Sequence, residues 1–333
     1  MKSLDDLLIF DDDVDAESAY QQLMTVGIGD GLPIVAPTRA RIDAMLDSVA
    51  DPDAALGIVP PVYAELTPAK IAYYSVIAGA RAPELALLTA AVEACLEDDF
   101  NLLGIQTTTG TVAIAMAVHG QICQDLGLNA GSNCMGPGNH PNGRIGRALA
   151  MALRGVGGAT PGELDMATTG QPGKIGLCFA HDADDPISSF EQSETGVTVL
   201  GFSGTIEVLP LGKGESITDV LTPIAEALAA TKLLMGNPLK QVNNDEFVVI
   251  PPEVAALLRK RGGSAATVRE QLFDLANVAF RERNRVLNID CDQESRVLAS
   301  PDDLRLLVAG GAGIKMVYLP TWMGGTRSVT RSI

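Results

Sequence analysis

The segment "GSNCMGPGNHPNGRIGRALAMAL", residues 131–153, concentrates residue types that can do chemistry. Its glycines and prolines are too dense for regular structure, and good helix formers follow, so we predict a loop that leads into a helix N-terminus. Free backbone amides and the positive end of the helix dipole attract anions there. Arg144 and Arg147 share one helix face and can bind a carboxylate or phosphate. We therefore expect an anion-binding loop, with Asn139 and Asn142 as further contacts.

The same loop carries two candidate catalytic residues, Cys134 and His140. A cysteine near a helix start and close to arginines can have a lowered pKa and act as a nucleophile. His140 can transfer protons within the loop. The alternatives are a small buried Cys134, an exposed polar His140, and a purely structural turn whose arginines pair with acidic residues elsewhere. The sequence leaves these alternatives open, although no acidic residue lies between positions 126 and 162.

The three histidines, His119, His140 and His181, are the remaining candidate metal ligands. They fall at separate positions and lack the close HxH or HExxH spacing of metal motifs, so we predict no metal site, and the sequence leaves open the alternative that these histidines bind a metal. The chain also lacks a Walker A loop and any fingerprint for nicotinamide, flavin or pyridoxal groups. We therefore expect no cofactor.

Two other stretches supply candidate substrate contacts. In "QTTTGT", residues 106–111, Thr108 and Thr109 can bind a substrate carboxylate or cap a turn. Near the C-terminus, the turn "AGGAG" follows an expected strand, which is a favoured ligand position in open α/β sheets. It offers a second glycine-rich edge able to face the first, with Lys315 and Arg327 as candidate anion contacts.

A further stretch rich in glycine and proline spans residues 157–176. Long irregular segments inside a compact domain are often functional. Glu163 and Asp165 are candidate general bases here, with Lys174 as a countercharge. The alternative is a connection between lobes whose charges are solvated.

The order of elements predicts the fold class. Apolar runs that end at glycine or proline alternate with helical segments, which is typical of an α/β fold with a mixed sheet and flanking helices. We expect two intimately packed lobes. An N-terminal α/β lobe over residues 1–165 carries the anion loop, and a C-terminal α/β lobe covers residues 166–333.

Composition narrows the classes of partner. The net charge of −17 disfavours nucleic acid and anionic membrane surfaces. The five cysteines are widely spaced and odd in number, which argues against a disulfide framework. The acidic N-terminus has no signal-peptide core, so we expect a cytoplasmic protein. The apolar content, rich in small aliphatic residues, favours a homo-oligomer.

Several blocks together resemble a widespread bacterial family of similar length. That family is mostly uncharacterised and is sometimes associated with the UGSC (seleno)protein group. The blocks are "GDGLPIVAPT", "AGARAPELALLTAAVEACLEDDFNLLGIQTTTG", "GPGNHPNGRIGRALAMALRGVGGATPGELDMATTGQPGKIGLCFA" and the closing "AGGAG…TRSVTR". The resemblance implies a bacterial protein whose loops carry the recognisable pattern. It implies no reaction and no catalytic residue.

These observations favour an enzyme of small-molecule catabolism. We expect a hydrolase or lyase for a small anionic substrate, bearing a carboxylate, phosphate or CoA group, held at a helix N-terminus. The alternative is a non-catalytic ligand-binding or accessory subunit of an enzyme complex. Catalysis requires a titratable group within hydrogen-bond reach of the bound anion, whereas binding alone does not. The presence of such a group therefore distinguishes the enzyme from the binding subunit.

Overall fold

The computed structural model describes residue 4 and residues 7–190, 195–212, 214–234, 244–289 and 296–333. The α-helices in these ranges are α1 (Ala16–Thr25), α2 (Arg39–Leu46), α3 (Pro68–Ala78), α4 (Leu85–Cys95), α5 (Leu102–Thr107), α6 (Gln121–Leu126), α7 (His140–Gly157), α8 (Ile217–Leu234), α9 (Pro252–Lys260) and α10 (Ala265–Val286). Of these helices, none has the combination of length and hydropathy that a bilayer span requires.

The strands form a small hairpin and two four-stranded sheets. Their bounds are β1 (Gly57–Val59), β2 (Ala64–Leu66), β3 (Ala113–His119), β4 (Leu177–Ala180), β5 (Gly196–Phe202), β6 (Ile206–Val208), β7 (Glu246–Ile250), β8 (Leu304–Val308), β9 (Met316–Leu319) and β10 (Val329–Ser332). The first sheet has the order β10-β5-β3-β4, and the second has the order β6-β9-β7-β8. Each sheet contains one parallel pair, β3 with β4 and β7 with β8, and antiparallel neighbours otherwise. The predicted α/β class with mixed sheets and flanking helices is confirmed.

The two sheets pack face to face, and helices cover their outer faces. Alternate residues of a strand point to opposite sides of its sheet, and β3 shows this pattern. Ala115 and Ala117 pack against Phe247 and Leu307 of the second sheet. Met116 belongs instead to the core formed with α3, α4 and α7. The opposite face of the second sheet packs against α8, α9 and α10. The molecule therefore has four layers, helix–sheet–sheet–helix.

The predicted boundary after residue 165 does not separate these layers. β3 precedes that residue, yet its sheet partners β4, β5 and β10 all follow it. The antiparallel register joins Ala113 to Phe202 and His119 to Gly196 along the whole of β3. The division into residues 1–165 and 166–333 therefore cuts through the first sheet. Strand order is set by pairings between distant residues, which the order of elements along the chain does not reveal.

The carboxyl ends of the two parallel pairs meet at one edge of the molecule. The amide of Asp182, just after β4, donates to the carbonyl of Val308 at the end of β8 over 2.8 Å. The amide of Gly310 donates to the carbonyl of Ala130 over 2.7 Å. A Cβ on Gly311 would lie 2.8 Å from the Cβ of Ser132, so the two backbones approach closely. The two glycine-rich edges therefore lie against each other.

Helix α7 lies very close to β4, because Gly146 has no side chain. A Cβ on Gly146 would lie 2.9 Å from the Cys178 nitrogen and 2.9 Å from the Leu177 carbonyl carbon. A Cβ on Gly176 would lie 2.2 Å from the Gly146 oxygen. Since all these neighbours are backbone atoms, they cannot rotate away. The contact fixes the position of α7 on the first sheet.

We expect Gly146→Ala and Gly143→Ala, one turn apart in α7, to change stability in opposite directions. Gly146→Ala should lower the free energy of unfolding by about 1–3 kcal/mol, because the added methyl group overpacks a rigid contact. Gly143 is exposed and has no atom within 4 Å of an added Cβ. Gly143→Ala should raise stability by about 0.5–1 kcal/mol through helix propensity. Urea unfolding measures both, and equal effects would contradict the close approach of α7 to β4.

Candidate functional site

Arg144, in the first turns of α7, is bound to Glu84. The Nε atom of Arg144 donates to Oε1 and Oε2 of Glu84 over 2.8 and 3.0 Å, and a terminal nitrogen also contacts Oε1. The two side chains are 15% and 2% exposed. The backbone amide of Arg81 donates to the same carboxylate over 2.9 Å. This guanidinium group is therefore part of a buried ion pair.

Arg147, on the same face of α7, is bound to Asp30. Its Nε and one terminal nitrogen each donate to a carboxylate oxygen of Asp30 over 2.7 Å, and the other donates to the Pro33 carbonyl over 2.8 Å. Burial alone would raise the pKa of Asp30. The hydrogen bonds from Arg147 and Leu32 and the charges of Arg147 and Arg154 outweigh burial and lower that pKa.

The structure contradicts the prediction that Arg144 and Arg147 are available to an external anion. It agrees with the alternative, in which both pair with acidic residues elsewhere in the chain. The partners lie 60 and 117 residues away, so the absence of acidic neighbours in sequence was misleading. Two bidentate contacts to internal carboxylates leave these guanidinium groups little capacity for a ligand.

Asn139 and Asn142 hold the loop before α7 in shape. Asn142 accepts from the Asn129 amide over 2.9 Å and donates to the carbonyls of Asn129 and Cys134, each over 3.0 Å. Asn139 donates to the Asn133 carbonyl over 2.6 Å and accepts from the Asn129 side chain over 2.7 Å. Both side chains therefore satisfy backbone groups of the loop, a structural role where we had predicted substrate contacts.

The two candidate catalytic residues of this loop also differ from the prediction. Cys134 is buried between the sheets, and this burial raises the pKa of its thiol where we had expected a lowered one. A protonated thiol is a poor nucleophile. His140 is exposed at the first residue of α7. Cys134 therefore fits the alternative of a small buried cysteine, and His140 fits the alternative of an exposed polar histidine.

The remaining predicted contacts also have partners within the protein. Thr108 caps a turn, since its hydroxyl accepts from the Gly110 amide over 3.0 Å. The Thr109 carbonyl accepts from the Thr168 amide over 2.9 Å. Exposed Lys315 lies 3.1 Å from Glu207, and Arg327 lies 2.9 Å from Asp303. Both cations are therefore paired with carboxylates of the chain, as Arg144 and Arg147 are.

A cavity of about 590 Å³ lies beside the C-terminal half of α7. Its walls come from α7, the start of β3 and the segment 159–175. Most lining side chains are apolar, among them Ile105, Val112, Ile114, Met151, Leu153 and Ile175. This volume falls within the range of about 300–1,000 Å³ that small-molecule sites occupy.

Two predicted site residues, Asp165 and Lys174, line this cavity. The Lys174 ammonium lies 2.5 Å from a carboxylate oxygen of Asp165, and both side chains are largely buried. Asp165 Oδ1 also accepts from the Ala167 amide over 3.2 Å. The segment is therefore folded around its own ion pair. Glu163, the other predicted carboxylate, is exposed and does not line the cavity.

Arg154, in the last turn of α7, was missed by the sequence analysis. It lines this cavity and also a second one of about 600 Å³, so it stands where the two adjoin. One terminal nitrogen donates to the carbonyls of Gly29 and Ile28 over 3.0 and 3.4 Å. Among the carboxylates in the described ranges, none lies within 4.0 Å of its guanidinium nitrogens. An arginine at a helix C-terminus is ordinarily explained by its favourable interaction with the helix dipole. The sequence therefore gave no reason to expect Arg154 beside a cavity.

The structure brings His119 and His181 together at the carboxyl ends of β3 and β4, at the end of the first sheet that lies away from the cavity. Their ring centroids lie 5.2 Å apart, and Phe190 lies 4.8 Å from His181. Burial, with a contribution from His119, lowers the pKa of His181 to about 3. His140 is not part of this pair. No group of three or more His, Cys, Asp or Glu side chains is placed to hold a metal ion in the part of the chain that the structure describes.

Comparison with known proteins gives no functional assignment. No protein-family model matches the sequence, and no curated protein is significantly similar to it. The resemblance to the UGSC-associated family, the homo-oligomer and the cytoplasmic location stay predictions from the sequence. The chemistry of the cavity therefore carries the functional argument.

Proposed function

We propose that the protein is an enzyme that acts on a small organic anion with an apolar body, bound in the cavity beside α7. The observation that supports this most directly is Arg154. It is a cation on the wall of a mainly apolar cavity, and only backbone carbonyls occupy its guanidinium group. Guanidinium groups bind carboxylates and phosphates through paired, charge-assisted hydrogen bonds.

The apolar lining indicates what the rest of the ligand is like. Side chains of α5, β3 and α7 leave few polar atoms on this wall, and burial of apolar ligand surface there contributes about 25 cal/mol per Å². Gln106 and Gln171 also line the cavity, but their amides already donate to the carbonyls of Pro60 and Phe202. A carboxylate with an aliphatic or aromatic body fits this arrangement better than a highly polar sugar.

The Asp165–Lys174 pair supplies the chemistry in this proposal. Asp165 takes a proton from the substrate or from a water molecule, and Lys174 orients the carboxylate through their 2.5 Å contact. General-base catalysis of this kind serves hydrolysis and elimination alike. The reaction class is therefore a hydrolase or a lyase, with substrate bound by Arg154.

A second candidate is a ligand-binding protein without turnover. The observation that favours it is that both cavity carboxylates already have cationic partners, Asp165 with Lys174 and Asp30 with Arg147. In this second candidate, the two ion pairs shape the cavity and take no part in chemistry. Binding is common to both candidates, so the first experiment measures binding and the second measures turnover.

The first experiment is a thermal-shift panel with hexanoate, benzoate, succinate, inorganic phosphate and acetyl-CoA. A ligand that binds only the folded state raises stability by about 2.7 kcal/mol at 100 times its dissociation constant. We expect the monocarboxylates with apolar bodies to raise the melting temperature most. A panel in which no compound shifts it at millimolar concentration would count against the cavity as a ligand site.

The second experiment separates turnover from binding with Asp165→Asn. Product formation from the best ligands, followed by mass spectrometry, should fall about 100-fold or more, because a general base contributes on that scale. The dissociation constant should change less than about threefold, because Arg154 remains. Asp12→Asn removes an exposed carboxylate outside the cavity and serves as the matched control. Unchanged turnover in Asp165→Asn would remove its catalytic role, whereas ligand binding by a wild-type chain that forms no product would favour the second candidate.

A further inference from the structure

The two buried histidines stand at equivalent ends of neighbouring parallel strands. His119 is the last residue of β3, and His181 directly follows β4. By strand alternation, their side chains share the inner face with Ala117 and Phe179, between the two sheets. They are only 3% and 4% exposed. The carboxyl ends of parallel strands are the usual position of ligand sites in α/β sheets.

His181 has no hydrogen-bond partner for either ring nitrogen among the described residues. Buried polar atoms are nearly always hydrogen-bonded, and an exception commonly marks a water molecule or an ion. A neutral imidazole has one nitrogen with a free lone pair, which is a metal ligand. An imidazole buried at a strand terminus with both nitrogens unsatisfied therefore indicates a missing partner.

Aromatic packing explains only part of this arrangement. Phe190 lies 4.8 Å from His181 at an angle of 58°, and 5.9 Å from His119 at 45°. Such ring contacts involve the faces and edges of the rings. The lone pairs of imidazole nitrogens lie in the ring plane, and packing against Phe190 does not satisfy them. The partner that is missing must lie in the plane of the His181 ring.

The separation of the two imidazoles suits a shared metal ion. An ion bound at about 2.1 Å by one nitrogen of each ring, with a near-tetrahedral angle, places the ring centroids about 5 Å apart. The observed separation of His119 and His181 is 5.2 Å. The net charge of −17 also attracts cations to the chain. Both features favour a cation at this edge.

We propose that His119 and His181 bind one first-row transition-metal ion of the kind that imidazole prefers, such as Zn²⁺. Imidazole nitrogen suits Zn, Cu, Ni and Fe, whereas Mg²⁺ and Ca²⁺ require oxygen ligands. Two protein ligands leave the other coordination positions to solvent or to a small exogenous ligand. The site lies at the opposite edge of the first sheet from the cavity, and it stands independently of the proposed function.

Titration of the metal-free, full-length chain with ZnCl₂ at pH 7.5, followed by calorimetry, tests this site. Wild type should bind one Zn²⁺ per chain. His181→Phe and His119→Phe, which keep an aromatic ring in the cluster, should each weaken binding at least tenfold. His140→Phe removes the exposed histidine and is the matched control, so its affinity should equal that of wild type. MgCl₂ should give no binding at the same concentration.

Two results would overturn the site. One is a folded wild-type chain that binds no Zn²⁺ at millimolar concentration, and the other is an affinity that neither buried-site variant changes. If the phenylalanine variants do not fold, ¹⁵N NMR of the histidine ring nitrogens decides the question on the wild-type chain. Zn²⁺ should shift the signals of His119 and His181 but not those of His140, which His140→Phe identifies. Shifts confined to His140 would refute the proposal.

Discussion

Replacement of Arg144 by methionine is expected to lower the free energy of unfolding by about 3–5 kcal/mol. Glu84 is almost fully buried, and Arg144 supplies most of its hydrogen bonds. Without the guanidinium group, the carboxylate keeps the Arg81 amide as its partner and remains as an uncompensated buried charge. Urea unfolding monitored by circular dichroism measures the change.

Two matched variants make this prediction specific. In the double variant Glu84→Gln/Arg144→Met the buried residue is neutral, so we expect recovery of a large part of the loss. Arg285→Met breaks the pair with Glu282, whose side chains are 74% and 60% exposed, and should cost less than about 0.5 kcal/mol. If Arg144→Met costs no more than Arg285→Met, Arg144 does not hold Glu84 and becomes available to a ligand again.

Replacement of Arg154 by glutamine is expected to weaken binding of a carboxylate ligand by about 10- to 100-fold. The reason is that a hydrogen bond to a charged group contributes about 1.5–3 kcal/mol, and glutamine cannot form the paired contact. Isothermal titration with benzoate or hexanoate, whichever gives the larger thermal shift, measures the dissociation constant. The effect should be larger for carboxylates than for the corresponding primary alcohols, which carry no charge.

The control for Arg154→Gln is Arg261→Gln. Arg261 is an exposed arginine at the end of α9, away from the cavity, so its replacement changes the net charge equally. We expect Arg261→Gln to bind the ligand as wild type does. Equal losses in both variants would indicate a general electrostatic effect of net charge. If Arg154→Gln unfolds at the same urea concentration as wild type and binds the ligand with the same affinity, Arg154 is not part of the binding site.

Local features of the chain could be predicted from the sequence better than pairings between distant residues. The succession of a loop and a helix in residues 131–153 follows from backbone preferences that neighbouring residues determine, although α7 begins at His140, within the stretch that we expected to be irregular. The partners of Arg144 and Arg147 could not be predicted, because Glu84 and Asp30 reach them only through the packing of the helices and the N-terminal segment around α7. A cation without nearby acids in sequence can still be paired in space.

The candidate site was predicted only in part for the same reason. Asp165 and Lys174 are nine residues apart in one irregular segment, so their pairing was within reach of sequence reasoning. Arg154 gave no comparable signal, because its significance depends on a cavity formed by β3 and by the segment that follows α7. Cys134 is a poor candidate for a nucleophile because burial between the sheets raises the pKa of its thiol, and loop composition does not show burial.

A crystal structure of the protein with the carboxylate that gives the largest thermal shift tests the central claim most directly. We predict ligand density in the cavity beside α7, with the carboxylate within hydrogen-bond distance of the Arg154 guanidinium and the apolar body against Met151 and Ile114. The ion pairs of Arg144 and Arg147 should be unchanged. Density at the N-terminus of α7, with either of those pairs opened to receive the carboxylate, would contradict the account.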